Sequence, residues 1–156
     1  LVACCGGGGL SAGLALACPD SAIHVVEPQG WDMVGQALEA GEVVRVGANP
    51  PVTICDALQP DASAPVVLSV LQGRAQPGVV VTDEEVRAAQ RFAFAKLNLV
   101  VEPGGAAALA AALAVRCPSV AAGPQPAHRT QSGQHGRSAG LSPRNDRESP
   151  AARYCC

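Results

Sequence analysis

Four consecutive glycines, Gly6–Gly9, followed by Leu10, are the residues whose type and spacing point most directly to chemistry. Residues without side chains allow positive φ and let several backbone amides converge on one anion. The run follows a short apolar segment and opens a small-residue segment of helical spacing, so a helix N-terminus would add its partial positive charge. That context reads as a phosphate cradle that needs no lysine. A linker or tight turn is the plainer reading, and the closely flanking apolar strand and helix argue against it. The same glycines satisfy G-x-G-x-x-A over Gly7–Ala12, and Glu27 ends the next apolar run about 20 residues on, as in a dinucleotide site whose acid takes a ribose hydroxyl. Pro28 directly after that acid and the unbroken glycine run are less usual there. No Gly-Lys-Ser/Thr occurs, which excludes a P-loop NTPase.

The elements that must position this loop alternate between strand and helix. LVAC at 1–4 reads as a strand, and about 10–18 as a helix with Leu10, Leu14 and Cys18 on one face. Ile23–Val26 is a second strand, 31–40 a helix closed by Gly41, 43–47 a weak strand, and Thr53–Leu58 a helical turn. Gly78–Thr82 is a clear strand. Thr82 and Glu85 then form a capping box for a helix over 83–96, with Val86, Ala89, Gln90 and Ala93 along one side. Leu97–Val101 is the next strand, and Gly104–Val115 an Ala/Leu helix, apolar nearly all round and therefore expected to be buried. Such alternation predicts an α/β fold, a mostly parallel sheet with helices on both faces.

Composition narrows the function classes. The chain has 156 residues, 48% hydrophobic and only 3% aromatic, with a net charge of −2. These values exclude a highly charged disordered chain and a polybasic nucleic-acid binder. No apolar run reaches the ~18 residues of a membrane span. Leu1 already lies inside an apolar run with no charged segment before it, so a signal peptide is not expected, the expected location is the cytoplasm, and the chain reads as a fragment. The seven cysteines are odd in number and lack CxxC spacing, against both a disulfide framework and zinc. Cys4, Cys18 and Cys55 lie in apolar runs and read as buried small hydrophobes. Residues 1–116 carry 11 acids and 6 bases, whereas 117–156 carry two acids, five arginines and five prolines. The first part reads as one α/β domain. The second reads as a disordered tail that buries too little to offset its ordering entropy.

Five segments in order carry a resemblance: VACCGGGGLSAGLALA, HVVEPQGWDMVGQALEAG, ICDAL, VVVTDEEVRAA and LNLVVEPGGAAALAAAL. Together, over about residues 1–115, they resemble the C-terminal half of the pyridoxal-phosphate-dependent serine/threonine dehydratases of fold type II, the threonine ammonia-lyase and serine racemase group. The resemblance implies part of that group's large domain. It gives the glycine loop a ligand: Gly6, Gly7, Gly8, Gly9 and Leu10 match the positions that hold the phosphate of pyridoxal 5'-phosphate. Ala57 matches a backbone position near the cofactor ring, beside the plain reading of a packing alanine. Glu27 matches an acid that, with a second acid six residues later and a carbonyl between them, binds Mg²⁺ or Ca²⁺. Met33 stands at that later position, so only Glu27 and the Trp31 carbonyl remain of the cation site. Glu102 matches a further acid at the cofactor end of the sheet, where capping or ion pairing is an equal reading.

The implied activity is deamination of L-serine or L-threonine, a small-molecule substrate, to a 2-oxo acid and ammonia, by relatives expected to be homo-oligomers. That chemistry needs a Schiff-base lysine, which the family carries in a Ser-x-Lys-x-Arg-Gly-Ala type motif absent here. The one lysine, Lys96, falls at a helix end where it favours the macrodipole and matches no catalytic position. No catalytic residue is therefore assigned, and the chain is expected to be inactive alone. After the last helix the family has an apolar strand and a Ser-Gly-Gly-Asn turn that binds the pyridine nitrogen. Here Ser132 falls about where that Ser belongs, but Gln134 and His135 replace the Gly-Asn. The abrupt change near residue 116 fits out-of-frame translation, which the nucleotide sequence read in its other frames would reveal. Two readings from other classes stand beside this one: a dinucleotide-binding protein using Glu27, and a non-catalytic remnant.

Overall fold

The computed structural model describes residues 1–114. Three strands, β1 (Val2–Cys4), β2 (His24–Pro28) and β3 (Val79–Val81), form one parallel sheet in the order β1-β2-β3. The register pairs Ala3 with Val25 and Glu27 with Val80. Five helices surround it: α1 (Gly9–Ala17), α2 (Met33–Ala40), α3 (Pro65–Leu71), α4 (Asp83–Phe92) and α5 (Pro103–Leu113).

Successive side chains of a strand point to opposite faces, and β2 is buried along its whole length. Ile23 and Val25 pack into one core with Ala12 and Ala15 of α1, Val34 of α2, and Val67 and Leu71 of α3. Val26 turns the other way, into a second core with Val79, Val81, Val86 and Ala89 and the alanines of α5. Helices thus cover both faces, and the alternating α/β architecture is as expected.

α4 starts as its sequence requires. Thr82 Oγ1 accepts from the Glu85 amide at 3.3 Å, and the Glu85 carboxylate accepts from the Thr82 amide at 2.8 Å. Thr82→Ala is expected to cost about 1 kcal/mol of unfolding free energy. Urea denaturation would read it, and a loss under a few tenths would remove the cap from the account.

Several elements differ from the sequence reading. Residues 43–47 form no strand; Arg45 makes one antiparallel bridge to Ala62, and the half-exposed Val43 finds no sheet to join. Residues 97–101 are not a strand either: α4 runs on into a π turn, Ala93–Leu97, and Asn98 then reverses the chain at φ 56°. α3, missed in the sequence because PVVLSVL is short and β-branched, starts with Pro at its first position. The buried side of α1 is Ser11, Ala12 and Ala15, while Leu10 is 61% exposed. Small residues bring that helix close to the sheet, and leucine faces out. α5 buries its alanines but leaves Leu113 exposed. Cys18 and Cys55 are buried as expected, and Cys4 is only half-buried. No helix among the described residues is long and apolar enough to cross a membrane. The expectations for 117–156, Ser132 among them, lie outside the described residues.

Candidate functional site

All three strands run the same way, so the connection leaving β1 opens at the carboxyl end of the sheet, the usual ligand end of an α/β sheet. Gly6–Gly9 makes that connection. Gly8 is the N-cap of α1 at φ 82°, buried over α3: a Cβ there would lie 2.5 Å from Val67 Cγ1. Gly7 and Gly9 are exposed, and a Cβ on either would meet nothing within 4 Å. The loop therefore has one glycine pressed into the core and two facing open space. The first turn of α1 leaves the Gly9, Leu10 and Ser11 amides outside the helical ladder, and no acid stands in that turn to neutralise them.

Ala57 is brought to the loop from far along the chain. Thr53 donates its hydroxyl to Asp83 Oδ1 at 2.6 Å, and the Ile54 amide donates to Oδ2 at 3.1 Å, which ties the segment before Ala57 to the start of α4. A Cβ on Gly6 would stand 3.3 Å from the Ala57 carbonyl oxygen, and one on Gly104 3.5 Å from Ala57 Cβ. The glycine loop, Ala57 and the first turn of α5 thus meet closely, with the Leu58 side chain packed against both Gly6 and Gly104. Glu102 is the exposed N-cap residue of α5, and its side chain makes no capping hydrogen bond.

Sequence reasoning missed two residues beneath the loop. Ser11 is fully buried, and its hydroxyl has no hydrogen-bond partner. Cys5 donates to the Gly6 carbonyl at 3.6 Å. Burial, with the Glu27 carboxylate adding to it, pushes its thiol up to about 12, and the Ser11 hydroxyl beside it opposes that rise. Such a thiol is protonated and inert at neutral pH. The one signal for Ser11 in the sequence was a hydroxyl on an otherwise apolar helix turn.

Glu27 sits apart from the open face. It is 1% exposed, and its two oxygens accept from the Val34 and Gly35 amides at 2.9 and 2.7 Å. It therefore caps the N-terminus of α2 from β2. Burial raises its carboxyl to about 7 despite these two bonds. Asp32 accepts from Gln36 Nε2, Met33 is buried, and no group of three His, Cys, Asp or Glu among the described residues is arranged for a metal. A ribose hydroxyl or a cation at Glu27 would have to share a buried carboxylate that already holds the start of α2. Lys96 is exposed in the π turn after α4. α4 starts at the carboxyl end of β3 and runs back, so its far end lies away from the glycine loop.

The family described as "Pyridoxal-phosphate dependent enzyme" matches residues 1–124. The chain belongs to this family. Among curated relatives of this pyridoxal-phosphate family, the chain is 32% identical over 120 residues to a serine racemase of Schizosaccharomyces pombe, covering 74% of this chain and 36% of that protein. It is 34% identical over 110 residues to a phenylserine dehydratase of Ralstonia pickettii, covering 68% and 33%. The crystal structure of a T.th. threonine deaminase superposes with a TM-score of 0.63 at 34% identity, over 70% of this chain and 40% of that one. The chain thus spans about a third of the length of these curated relatives. Members of the family use pyridoxal phosphate, and the open space over Gly7 and Gly9 at the N-terminus of α1 has room for its phosphate.

Proposed function

We propose that this chain supplies the phosphate cradle and the adjoining cofactor wall of a pyridoxal-phosphate lyase acting on L-serine or L-threonine. The observation that carries the reading is the loop itself, whose Gly7 and Gly9 face open space at the N-terminus of α1. In this reading the Gly9, Leu10 and Ser11 amides hold the phosphate. Gly6 and Gly7 keep the approach clear, and Ala57 and Gly104 leave room for the ring. Bound pyridoxal phosphate would supply an electron sink for negative charge at the α-carbon of an amino acid. Moving the α-proton needs an amine or another base beside that carbon. Lys96, exposed beyond the far end of α4, is not placed for that role. The chain by itself therefore binds the cofactor without turning over substrate.

Pyridoxal phosphate should raise the melting temperature of the purified chain, and pyridoxal without the phosphate should not. Gly7→Ala should weaken that response while leaving the melt of the free chain unchanged, because its methyl group enters only open space. Equal effects of the two compounds, or none from either, would defeat the cradle reading. L-serine or L-threonine with added cofactor should give no 2-oxo acid above the blank, and appreciable turnover would overturn the second half of the proposal.

A further inference from the structure

The 3-10 turn Asp56–Leu58 carries Ala57, and the segment around it is organised by Thr53. Thr53 is buried, and a buried hydroxyl needs a partner. Its Oγ1 accepts from the Cys55 amide at 3.2 Å, and its carbonyl accepts from Gln59 Nε2 at 3.4 Å; both bonds close the segment on itself. The Thr53 bond that crosses to another element is its 2.6 Å donation to Asp83, 30 positions along the chain. Asp83 is firmly set, because the Thr82/Glu85 box fixes the start of α4 directly after β3. An acid in a first helical turn commonly serves only the helix dipole or an ion pair. Here Glu84 and Glu85 already supply that charge, and Arg87 stays 4.0 Å from Asp83 Oδ2, too far for a hydrogen bond. The Asp83 carboxylate is committed instead to Thr53 and to the Ile54 amide.

We propose that Asp83 is a positioning residue for the ring end of the cofactor site. Acting through Thr53, it fixes the turn so that Ala57 and Leu58 stand between Gly6 and Gly104, within 3.5 Å of where a Cβ on either glycine would lie. The inference rests on the function proposed above and gives the ring wall an anchor of its own. The phosphate amides of residues 9–11 belong to α1, whereas the Thr53–Asp83 latch joins the turn to α4. The two ends of the site should therefore respond separately when the latch is cut, since a binding wall loosened by a fraction of an ångström loses its fit.

Titration calorimetry of the 156-residue chain with pyridoxal phosphate and, separately, with inorganic phosphate reads the two ends. Thr53→Val keeps the shape and loses the hydroxyl; it should weaken pyridoxal phosphate about tenfold and inorganic phosphate less than about twofold. Thr53→Ser keeps the hydroxyl and should bind both as the unmodified chain does. Asp83→Asn, with one acceptor oxygen left, should show the same selective loss at smaller size, and it decides the matter if Thr53→Val does not fold. A latch that only stabilises the fold would lower the melting temperature and weaken both ligands alike or neither. Equal losses, no loss, or a serine variant that behaves as the valine one would each overturn the proposal. If the unmodified chain binds no pyridoxal phosphate, the function proposed above fails and takes this inference with it. Binding by the unmodified chain without a selective loss in the variants overturns this inference alone.

Discussion

Gly8→Ala is expected to destabilise the fold by about 2–5 kcal/mol, combining a left-handed backbone cost with overpacking. Both causes are present at one position. The residue sits at φ 82°, and its new methyl carbon would lie 2.5 Å from Val67 Cγ1. Val67 is β-branched and stiff at χ1, so it has little room to turn aside. The double variant with Val67→Ala separates the two causes. It should recover the steric part, a coupling of about 1–3 kcal/mol, and leave the backbone part. Urea unfolding of the four proteins gives the cycle. Strictly additive losses would mean that the contact with α3 does not hold the loop. Gly7→Ala is the control, since it tests the open face without touching the core.

The second large effect is in pH. Burial raises the Glu27 carboxyl from its ordinary 4.5 to about 7 in the fold. Between those values the folded chain keeps a proton that the unfolded chain has lost. Stability therefore falls as pH rises through that window, by on the order of 3 kcal/mol in all, and the contribution is constant above it. His24 acts oppositely: burial lowers its pKa, so its share of stability is lost as pH falls below the ordinary value of 6.5. Glu27→Gln isolates the carboxyl. It keeps one oxygen for an α2 amide, sets an NH₂ against the other, and cannot titrate. Subtracting its stability curve from that of the unmodified chain should leave the downward slope between pH 5 and 7. A flat or rising difference would show that the two amide bonds, and not burial, govern Glu27.

Most of the fold could be read from the chain because its periodic segments are consistent with their neighbours. The Thr82/Glu85 box and the glycine run after an apolar strand are local signals, and both sit where local chemistry put them. The errors came from tertiary context. LNLVV has a strand's composition but pairs with none of the described strands, and the left-handed Asn98 breaks it. PVVLSVL looks extended by propensity and is helical because Val67 and Leu71 fill the core beside β2. Glu27 was legible as the acid that ends the second strand, but its burial and its attachment to the start of α2 were not, since these depend on two amides seven and eight residues later. Ser11 drew no notice because only burial makes its hydroxyl unusual.

The parts of the glycine cradle enter the chain at widely separated points: the loop at residues 6–9, its floor at Val67, and its far wall at Ala57 and Gly104. A parallel sheet compounds this, because each strand must wait for a crossover before it can pair. The cradle is thus assembled from some of the longest-range contacts in the fold, which are slow to form. A ribosome that has delivered the glycines has delivered neither the floor at Val67 nor the far wall at Ala57 and Gly104. In the proposed cradle the phosphate amides of residues 9–11 come first and the wall at Gly104 last, so the whole site is complete only once α5 has emerged.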